Sequence, residues 1–279
     1  MLTKLTQQSF LQSVEYIVYL SFIFAYFCIF LAEWKIHNLL KYGKTLPKNF
    51  QYENNTKIPS FLKIKVYKYW FYHFYLLSSL LSIITIIQSI IAKNTNSIPV
   101  VPCLYLIHSL RRLYESLYVA KKSKTSLMNI SHYIVGLWFY TSFNFITYVN
   151  RNVTNGGLVT YTRIAIFTLF FLFFNLDQYK NHLYLSKLTK YTLPSSGLFK
   201  WVCCAHYFDE VMIYLTIFLY APNPGYFLAF LWVFINLSCS AKEQQSYYYI
   251  SELKNRKDKH GIKYSKTSTP KYAIIPCLL

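Results

Sequence analysis

The chain has 279 residues, of which 54% are hydrophobic, 20% aromatic and only 14% charged. This composition excludes an ordinary soluble domain and predicts an integral membrane protein. The net charge of +19 would suit a nucleic-acid partner, but the lysines lie between apolar segments, as they do in the cytosolic loops of membrane proteins, so we expect no nucleic-acid binding.

Seven apolar runs are candidates for membrane-spanning helices, each of which needs about 20 apolar residues. The runs cover residues 10–32, 71–92, 98–120, 130–149, 158–176, 210–220 and 226–239. The last two are short and are separated by the turn sequence at 222–225, so a single re-entrant hairpin is the alternative. We therefore predict an all-α integral membrane protein in which residues 1–279 form one polytopic domain of about seven transmembrane helices around a cavity.

Basic residues predict which helix ends face the cytosol. Eight lysines lie between the first two runs, three follow the third, four follow the fifth, and seven basic residues lie between Lys254 and Lys271. All of these segments share one side of a seven-helix bundle, and the other side holds Lys4, Lys93 and Arg151. Because cytosolic loops are enriched in Lys and Arg, we expect a lumenal amino terminus and a cytosolic carboxyl terminus. The glycosylation triplet Asn152-Val153-Thr154 is lumenal in this arrangement.

Charged side chains interrupt the third apolar run. His108, Arg112 and Glu115 are spaced four and three residues apart, which places them on one helical face. A charged residue at the bilayer centre costs at least ~2.5 kcal/mol, so such a group is expected to pair around a cavity. The alternative is that Arg111 and Arg112 only extend to the cytosolic edge of the membrane, with Glu115 as an ion-pair partner.

A second polar segment follows the fifth run, at residues 177–190. It places Gln178 and His182 one helical turn apart. Taken alone, this pattern is typical of an amphipathic helix lying at the membrane surface.

The third polar segment is the sequence LPSSGLFKWVCCAHYFDEVMIY at 193–214, in which His206, Tyr207 and Glu210 lead into the sixth run. Zinc is a tempting partner for Cys203, Cys204 and His206, but adjacent thiols without a second spaced pair match no usual ligand pattern, and we predict no metal. The sequence contains no GxGxxG or P-loop motif, so any nucleotide cofactor must be held by the helices themselves.

Several stretches, in this order, resemble the steroid 5α-reductase superfamily and most closely its dolichol-forming polyprenol reductase branch. They are LLKYGKT at 39–45, VYKYWFYHFYLLS at 66–78, LIHSLRRLYESLYV at 106–119, the pair Gln178 and His182, GLFKWVCCAHYFDE at 197–210, NLS at 236–238 and YAIIPCLL at 272–279.

The resemblance implies an enzyme of the endoplasmic reticulum membrane that takes NADPH from the cytosolic side and reduces an activated carbon–carbon double bond. The substrate it implies is a long-chain polyisoprenoid, polyprenol or polyprenal, drawn from the membrane lipid, and the product supports protein N-glycosylation. Most of the implied cofactor site lies in residues 158–279, at the positions Gln178, His182, His206, Tyr207, Glu210, Asn236 and Tyr248. The implied catalytic residues are His108, Arg112 and Glu115.

The sequence departs from the family pattern at a few positions. Ser109 stands where steroid-reducing relatives have a tyrosine, Thr189 where the family has an arginine, and Gln244 and Gln245 where histidines are expected. Two alternatives therefore stay open: a steroid or enoyl-thioester reductase of the same superfamily, and a non-catalytic membrane scaffold or transporter, although the sequence shows no inverted repeat.

Overall fold

The computed structural model describes residues 2–35, 64–92, 99–121, 126–151, 158–189, 192–259, 269–270 and 272–275. These residues form seven α-helices and two short strands. In chain order they are α1 (Leu2–Lys35), β1 (Lys65–Tyr67), α2 (Phe71–Ile91), α3 (Val100–Tyr114), β2 (Leu127–Asn129), α4 (Ile130–Val149), α5 (Leu158–Lys187), α6 (Ala205–Tyr220) and α7 (Pro224–Lys259). The triplet at 152–154 and the stretches 39–45 and 276–279 lie outside the described residues.

Three segments among the described residues are long and apolar enough to cross a membrane: Ser9–Leu31 in α1, Lys68–Ile91 around α2, and Pro224–Leu253 in α7. The outer face of α1 carries aromatic and aliphatic side chains that are more than half exposed, such as Phe10 at 66% and Phe24 at 67%. Large apolar side chains in contact with water are unfavourable, so this face suits a lipid environment.

The inner face of α1 packs on α4 and α7. Phe22 is fully buried against Trp138, and Trp138 Nε1 donates a hydrogen bond to Ser21 Oγ at 3.1 Å. The Tyr26 hydroxyl donates to the backbone carbonyl of Leu228 on α7. These bonds give the polar atoms partners inside the apolar bundle, which buried polar groups require.

A ladder of small polar side chains joins α2, α3 and α4. Asn144 Nδ2 donates to Ser78 Oγ at 3.0 Å, Ser82 Oγ donates to Asn144 Oδ1 at 2.8 Å, and the hydroxyls of Ser78 and Ser109 lie 2.8 Å apart. All four residues are buried. Hydrogen bonds between small residues let helices approach closely and fix their register within a membrane.

Several observed helices are longer than the predicted runs. The first run, predicted over 10–32, lies within the longer helix α1, and the seventh, predicted to end at residue 239, continues to Lys259 in α7. The fifth run and the polar segment after it form one continuous helix, α5, of 30 residues, so the separate surface helix expected at 177–190 was wrong. The sixth run begins five residues earlier than predicted, at Ala205, because its first turn contains the polar residues that a search for apolar runs leaves out.

The two strands were also missed by the all-α prediction. Strand β1 pairs antiparallel with β2, with Lys65 opposite Asn129, Val66 opposite Met128 and Tyr67 opposite Leu127. Three residues per strand are too few for an alternating pattern to be visible in the sequence. Because β1 precedes α2 and β2 precedes α4, the pair fixes the starts of these two helices side by side.

The described residues near the carboxyl terminus pass beside the amino end of α6. The backbone N–H of Cys203 donates to the carbonyl of Tyr272 at 2.9 Å, and that of Cys204 donates to Ala273 at 3.0 Å. Gln245 Nε2 of α7 donates to the carbonyl of Pro270 at 2.9 Å. Backbone amides before a helix start have no partner within the helix, so these bonds stabilise the start of α6.

Candidate active site

Buried polar side chains from four helices meet where α3 ends, α5 approaches its end and α6 begins. The cluster contains Tyr75 from α2, then His108, Arg111 and Arg112 from α3, Glu115 directly after α3, Asn175, Gln178 and His182 from α5, and Glu210 from α6. Glu115 opens a π-helical turn, Glu115–Val119, that continues α3. Turns of this kind occur frequently at functional sites.

Glu115 holds three basic side chains together. Its Oε1 accepts from Arg111 at 2.5 Å, and its Oε2 accepts from Arg112 at 2.5 Å and lies 2.7 Å from His182 Nδ1. Glu115 is only 2% exposed, and removing one partner from such a buried ion pair typically costs about 3–5 kcal/mol. Both carboxylate oxygens are occupied by donors, so Glu115 positions the two guanidinium groups.

Gln178 of α5 connects three of the four helices of the cluster. Its Oε1 accepts from Arg111 at 2.5 Å, and its Nε2 donates to Glu210 Oε2 at 2.5 Å and to the backbone carbonyl of His206 at 3.0 Å. The side chain is 1% exposed. A buried amide with its oxygen and nitrogen bonded to different helices fixes the position of α6 relative to α3 and α5.

The ring of His108 faces polar side chains of α3, α5 and α6. Asn175 Nδ2 donates to the carbonyl of Phe171 at 2.8 Å, which fixes the amide so that its oxygen faces His108 Nδ1 at 3.0 Å. Arg111 Nη2 lies 3.2 Å from the same ring nitrogen. On the other side of the ring, Nε2 lies 3.4 Å from Glu210 Oε1.

Two buried polar atoms of the cluster lack a hydrogen-bond partner among the described residues. They are His108 Nε2 and Arg112 Nε. Unpartnered polar atoms are rare in buried positions because each one carries a desolvation cost of about 1–3 kcal/mol. Both residues are on α3, four positions apart, and unpartnered polar atoms of this kind are suited to bind a polar ligand.

The sequence predicted ten site residues, and the structure brings six of them into one cluster: His108, Arg112, Glu115, Gln178, His182 and Glu210. His206 borders the cluster, because its ring centroid lies 5.5 Å from that of His182. Tyr207 lies next to it, and its hydroxyl accepts from Gln244 Nε2 of α7 at 2.7 Å.

The remaining two residues lie on α7, outside the cluster. Tyr248 is buried, with 8% of the residue exposed. Asn236 is on the exposed face of α7, and within the described part of the chain no hydrogen bond joins it to the cluster. The structure thus separates the α7 positions from the cluster formed by α3, α5 and α6.

Three members of the cluster were missed as site residues: Tyr75, Arg111 and Asn175. Arg111 was considered only as a residue extending to the membrane edge, yet it contacts His108, Asn175, Glu115 and Gln178. The spacing of α3 residues assigned Arg111 to a different face, but its long side chain reaches the same carboxylate as Arg112. A sequence signal for Arg111 exists, since it precedes Glu115 by the four residues of a helical ion pair.

No group of three or more His, Cys, Asp or Glu side chains within the described ranges is arranged to hold a metal ion.

Residues 123–262 match the family described as 3-oxo-5-alpha-steroid 4-dehydrogenase. The chain is 35% identical over 277 residues to the polyprenal reductase of Saccharomyces cerevisiae, an alignment that covers 96% of this chain and 98% of the yeast protein. It is 32% identical over 162 residues to the polyprenal reductase of Drosophila melanogaster, covering 50% of this chain and 48% of that protein. With the polyprenal reductase of Homo sapiens the identity is 28% over 178 residues, or 54% and 55% of the two chains.

Proposed function

Because this chain belongs to the 3-oxo-5-alpha-steroid 4-dehydrogenase family, we propose that it is an NADPH-dependent reductase that saturates the α-isoprene double bond of polyprenal on the route to dolichol. The observation that carries the proposal is the similarity to yeast polyprenal reductase, which extends over 96% of the chain. The buried cluster of α3, α5 and α6 supports it, because isolated charges inside an apolar bundle are costly and are retained chiefly where function needs them.

The cluster residues fit a dinucleotide cofactor. Arg112 Nε and His108 Nε2 are buried without a hydrogen-bond partner among the described residues, and a bound nicotinamide or phosphate offers partners for both. Gln178, His182, His206 and Glu210 would hold the cofactor, with Tyr207 behind His206, and it would supply a hydride. Asn236 and Tyr248, which lie on α7 outside the cluster, remain predicted contacts.

The chemistry favours the aldehyde over the alcohol as the substrate. In an enal the carbonyl withdraws electrons from the double bond, so that a hydride can reach the β-carbon while negative charge develops on oxygen. An allylic alcohol has no such acceptor. The guanidinium groups of Arg111 and Arg112, held by Glu115, provide positive charge where that oxygen would be stabilised.

We place this chemistry in the membrane of the endoplasmic reticulum. In this proposal all seven helices span the bilayer and enclose a cavity, and the long isoprenoid chain stays in the lipid or between the helices while its aldehyde reaches the cluster. The carboxyl terminus is cytosolic, so the cofactor enters from the side where NADPH is available. The apolar segments in α1, α2 and α7 supply the minimum membrane anchoring that this arrangement needs.

The proposal is tested with the purified full-length protein, NADPH, and either polyprenal or polyprenol. We expect oxidation of NADPH and formation of the saturated aldehyde with polyprenal only. If the purified protein reduces neither polyprenal nor polyprenol, the proposal is contradicted. Reduction of a 3-oxo-4-ene steroid in place of polyprenal supports the runner-up function, which the steroid description of the family favours.

A further inference from the structure

We propose that Tyr75 is a catalytic residue, whose phenol donates a hydrogen bond and then a proton to the carbonyl oxygen of the enal. This inference rests on the proposed function, since only an enal presents that oxygen. It assigns the acid to α2, a helix that supplied none of the predicted catalytic residues.

The hydroxyl of Tyr75 accepts a hydrogen bond from the Arg112 cation, and the hydrogen of that hydroxyl remains available for a ligand. The Tyr75 side chain is buried, with 6% of the residue exposed, and its hydroxyl oxygen accepts from Arg112 at 2.7 Å. The guanidinium carbon of Arg112 also lies 4.9 Å from the centre of the Tyr75 ring. Among the described residues, no acceptor takes the hydroxyl hydrogen of Tyr75, so a ligand oxygen can take it.

The other hydroxyls around the cluster are already paired. The phenols of Tyr105 and Tyr214 lie 3.0 Å from each other, and the Ser109 hydroxyl is bonded to Ser78 at 2.8 Å. In each pair one hydroxyl donates to the other, and among the described residues neither pair is bonded to a guanidinium group, whereas the Tyr75 hydroxyl is bonded directly to Arg112.

The ionisable groups of the cluster are less suited to donate this proton. Both oxygens of Glu115 accept from basic side chains, and Glu210 accepts from Gln178. His108 faces Asn175 and Arg111 through Nδ1 and Glu210 through Nε2. His182 Nδ1 lies against Glu115 and Arg112. Tyr75 is therefore the best-placed donor in the cluster.

Arg112 allows Tyr75 to lose its proton. Of its two terminal nitrogens, one donates to Glu115 and the other to Tyr75, so the phenolate oxygen keeps a charge-assisted hydrogen bond after proton transfer. Arg111 shares Glu115, so the two guanidinium groups and this carboxylate carry one net positive charge next to the phenol. That charge stabilises an anionic oxygen in a site with little water.

Reduction of the enal adds one hydride and one proton. A bound reduced nicotinamide would supply the hydride to the β-carbon; the electron pair of the C=C bond would then form the bond between the α-carbon and the carbonyl carbon, and the carbonyl π pair would move to oxygen. The oxygen takes the proton of Tyr75, which forms an enol and leaves a phenolate. The α-carbon of the enol then takes a proton from a solvent water, which is left as hydroxide, and the enol proton returns to the Tyr75 phenolate.

The test compares Tyr75→Phe with Tyr140→Phe in the full-length protein. Tyr140 is the matched control, because it is a buried tyrosine in edge contact with Tyr75, at a centroid distance of 5.4 Å, and is not bonded to Arg112. We expect Tyr75→Phe to lower kcat for polyprenal by about 10²- to 10³-fold, the usual effect of removing one donor to a developing oxyanion. NADPH affinity, measured by protein fluorescence, should stay at the wild-type value, and Tyr140→Phe should retain its kcat. The melting temperature of Tyr75→Phe should fall, because Arg112 loses the acceptor of one buried hydrogen bond.

An unchanged kcat in a folded Tyr75→Phe protein overturns the inference. If that variant does not fold, difluorotyrosine at position 75 keeps the ring and the hydroxyl but is more acidic, so the loss of kcat at alkaline pH should begin at a lower pH. An unchanged pH profile then overturns the inference, with Arg112 and Tyr140 the titratable groups in contact with the substituted ring. A wild-type protein that binds NADPH but leaves polyprenal unreduced contradicts the proposed function instead, which distinguishes the two failures.

Discussion

Glu210 and Asp209 are adjacent carboxylates with different surroundings. Glu210 accepts from Gln178 at 2.5 Å and faces His108, within the cluster, whereas Asp209 is fully buried and accepts from Asn181 of α5 at 2.7 Å. The two side chains point in directions about 100° apart around α6, so both contact α5, but only Glu210 reaches the candidate site.

This difference predicts the behaviour of two matched variants. Glu210→Gln keeps the shape but removes a charge and turns one acceptor into a donor, so we expect NADPH binding to weaken by about 2–3 kcal/mol, the size of a lost charge-assisted bond. Asp209→Asn keeps an oxygen for Asn181 and should leave NADPH affinity unchanged. Isothermal titration of NADPH into both purified variants measures the two affinities. A loss of affinity in Asp209→Asn but not in Glu210→Gln would contradict the placement of the cofactor beside Glu210.

The sequence indicated some residues of the polar cluster in the candidate active site and could not indicate the others. Helical spacing alone placed His108, Arg112 and Glu115 on one face; in the structure Glu115 contacts Arg112 but also Arg111, and His108 faces Glu210. Tyr75 lies 37 residues before Arg112 and reaches it only through the packing of α2 on α3. Its role depends on a contact between helices, which no periodicity within one helix can reveal.

The close approach of helices α2 and α4 depends on Gly136, which has no side chain. A Cβ atom at Gly136 would lie 2.5 Å from Cζ of Phe74 and within 2.9 Å of two further ring atoms. Phe74 is 2% exposed, and its ring is packed between Phe71, Tyr133 and Tyr140, so it has little room to move aside.

We therefore expect Gly136→Ala to destabilise the protein by about 1–3 kcal/mol through overpacking. Phe74→Leu shortens the opposing side chain. The double variant should therefore lose less free energy of unfolding than the sum of the losses in the two single variants. Thermal unfolding of the four proteins in detergent measures this coupling. Additive effects would show that the two positions do not share the contact.

Apolar patterns in the sequence do not predict helix ends that are made of polar residues. Apolar runs located all seven helices but ended the fifth at residue 176, because Asp177, Gln178 and Lys180 read as a loop. In the folded chain Gln178 bonds to α3 and α6 and Asn181 bonds to Asp209, so the polar continuation of α5 is stabilised by partners that are distant in sequence. The same reason applies to the first turn of α6.

At the scale of the whole molecule, the candidate site lies at one end of the helices. The paired strands β1 and β2 precede α2 and α4 at that end, Lys121 after α3 donates to the carbonyl of Leu188 after α5, and Val202 before α6 pairs with Tyr272 after α7. In the sequence, the lysine-rich segments come directly after α1, α3, α5 and α7, and both α3 and α5 end near the candidate site. The predicted cytosolic side of the sequence is therefore the side of the site.

This arrangement predicts the orientation of the protein in the membrane. Because cytosolic segments are enriched in basic residues, the lysine-rich end with the candidate site should face the cytosol, and the amino terminus should face the lumen. The test fuses an extension with an Asn-x-Thr acceptor to either terminus and expresses each protein with microsomes of the endoplasmic reticulum. We expect a glycan on the amino-terminal extension alone, and the same extensions with Gln in place of the acceptor Asn serve as controls. A glycan on the carboxyl-terminal extension would put the site on the lumenal side, where cytosolic NADPH does not reach it, and would contradict both the orientation and the proposed entry of the cofactor.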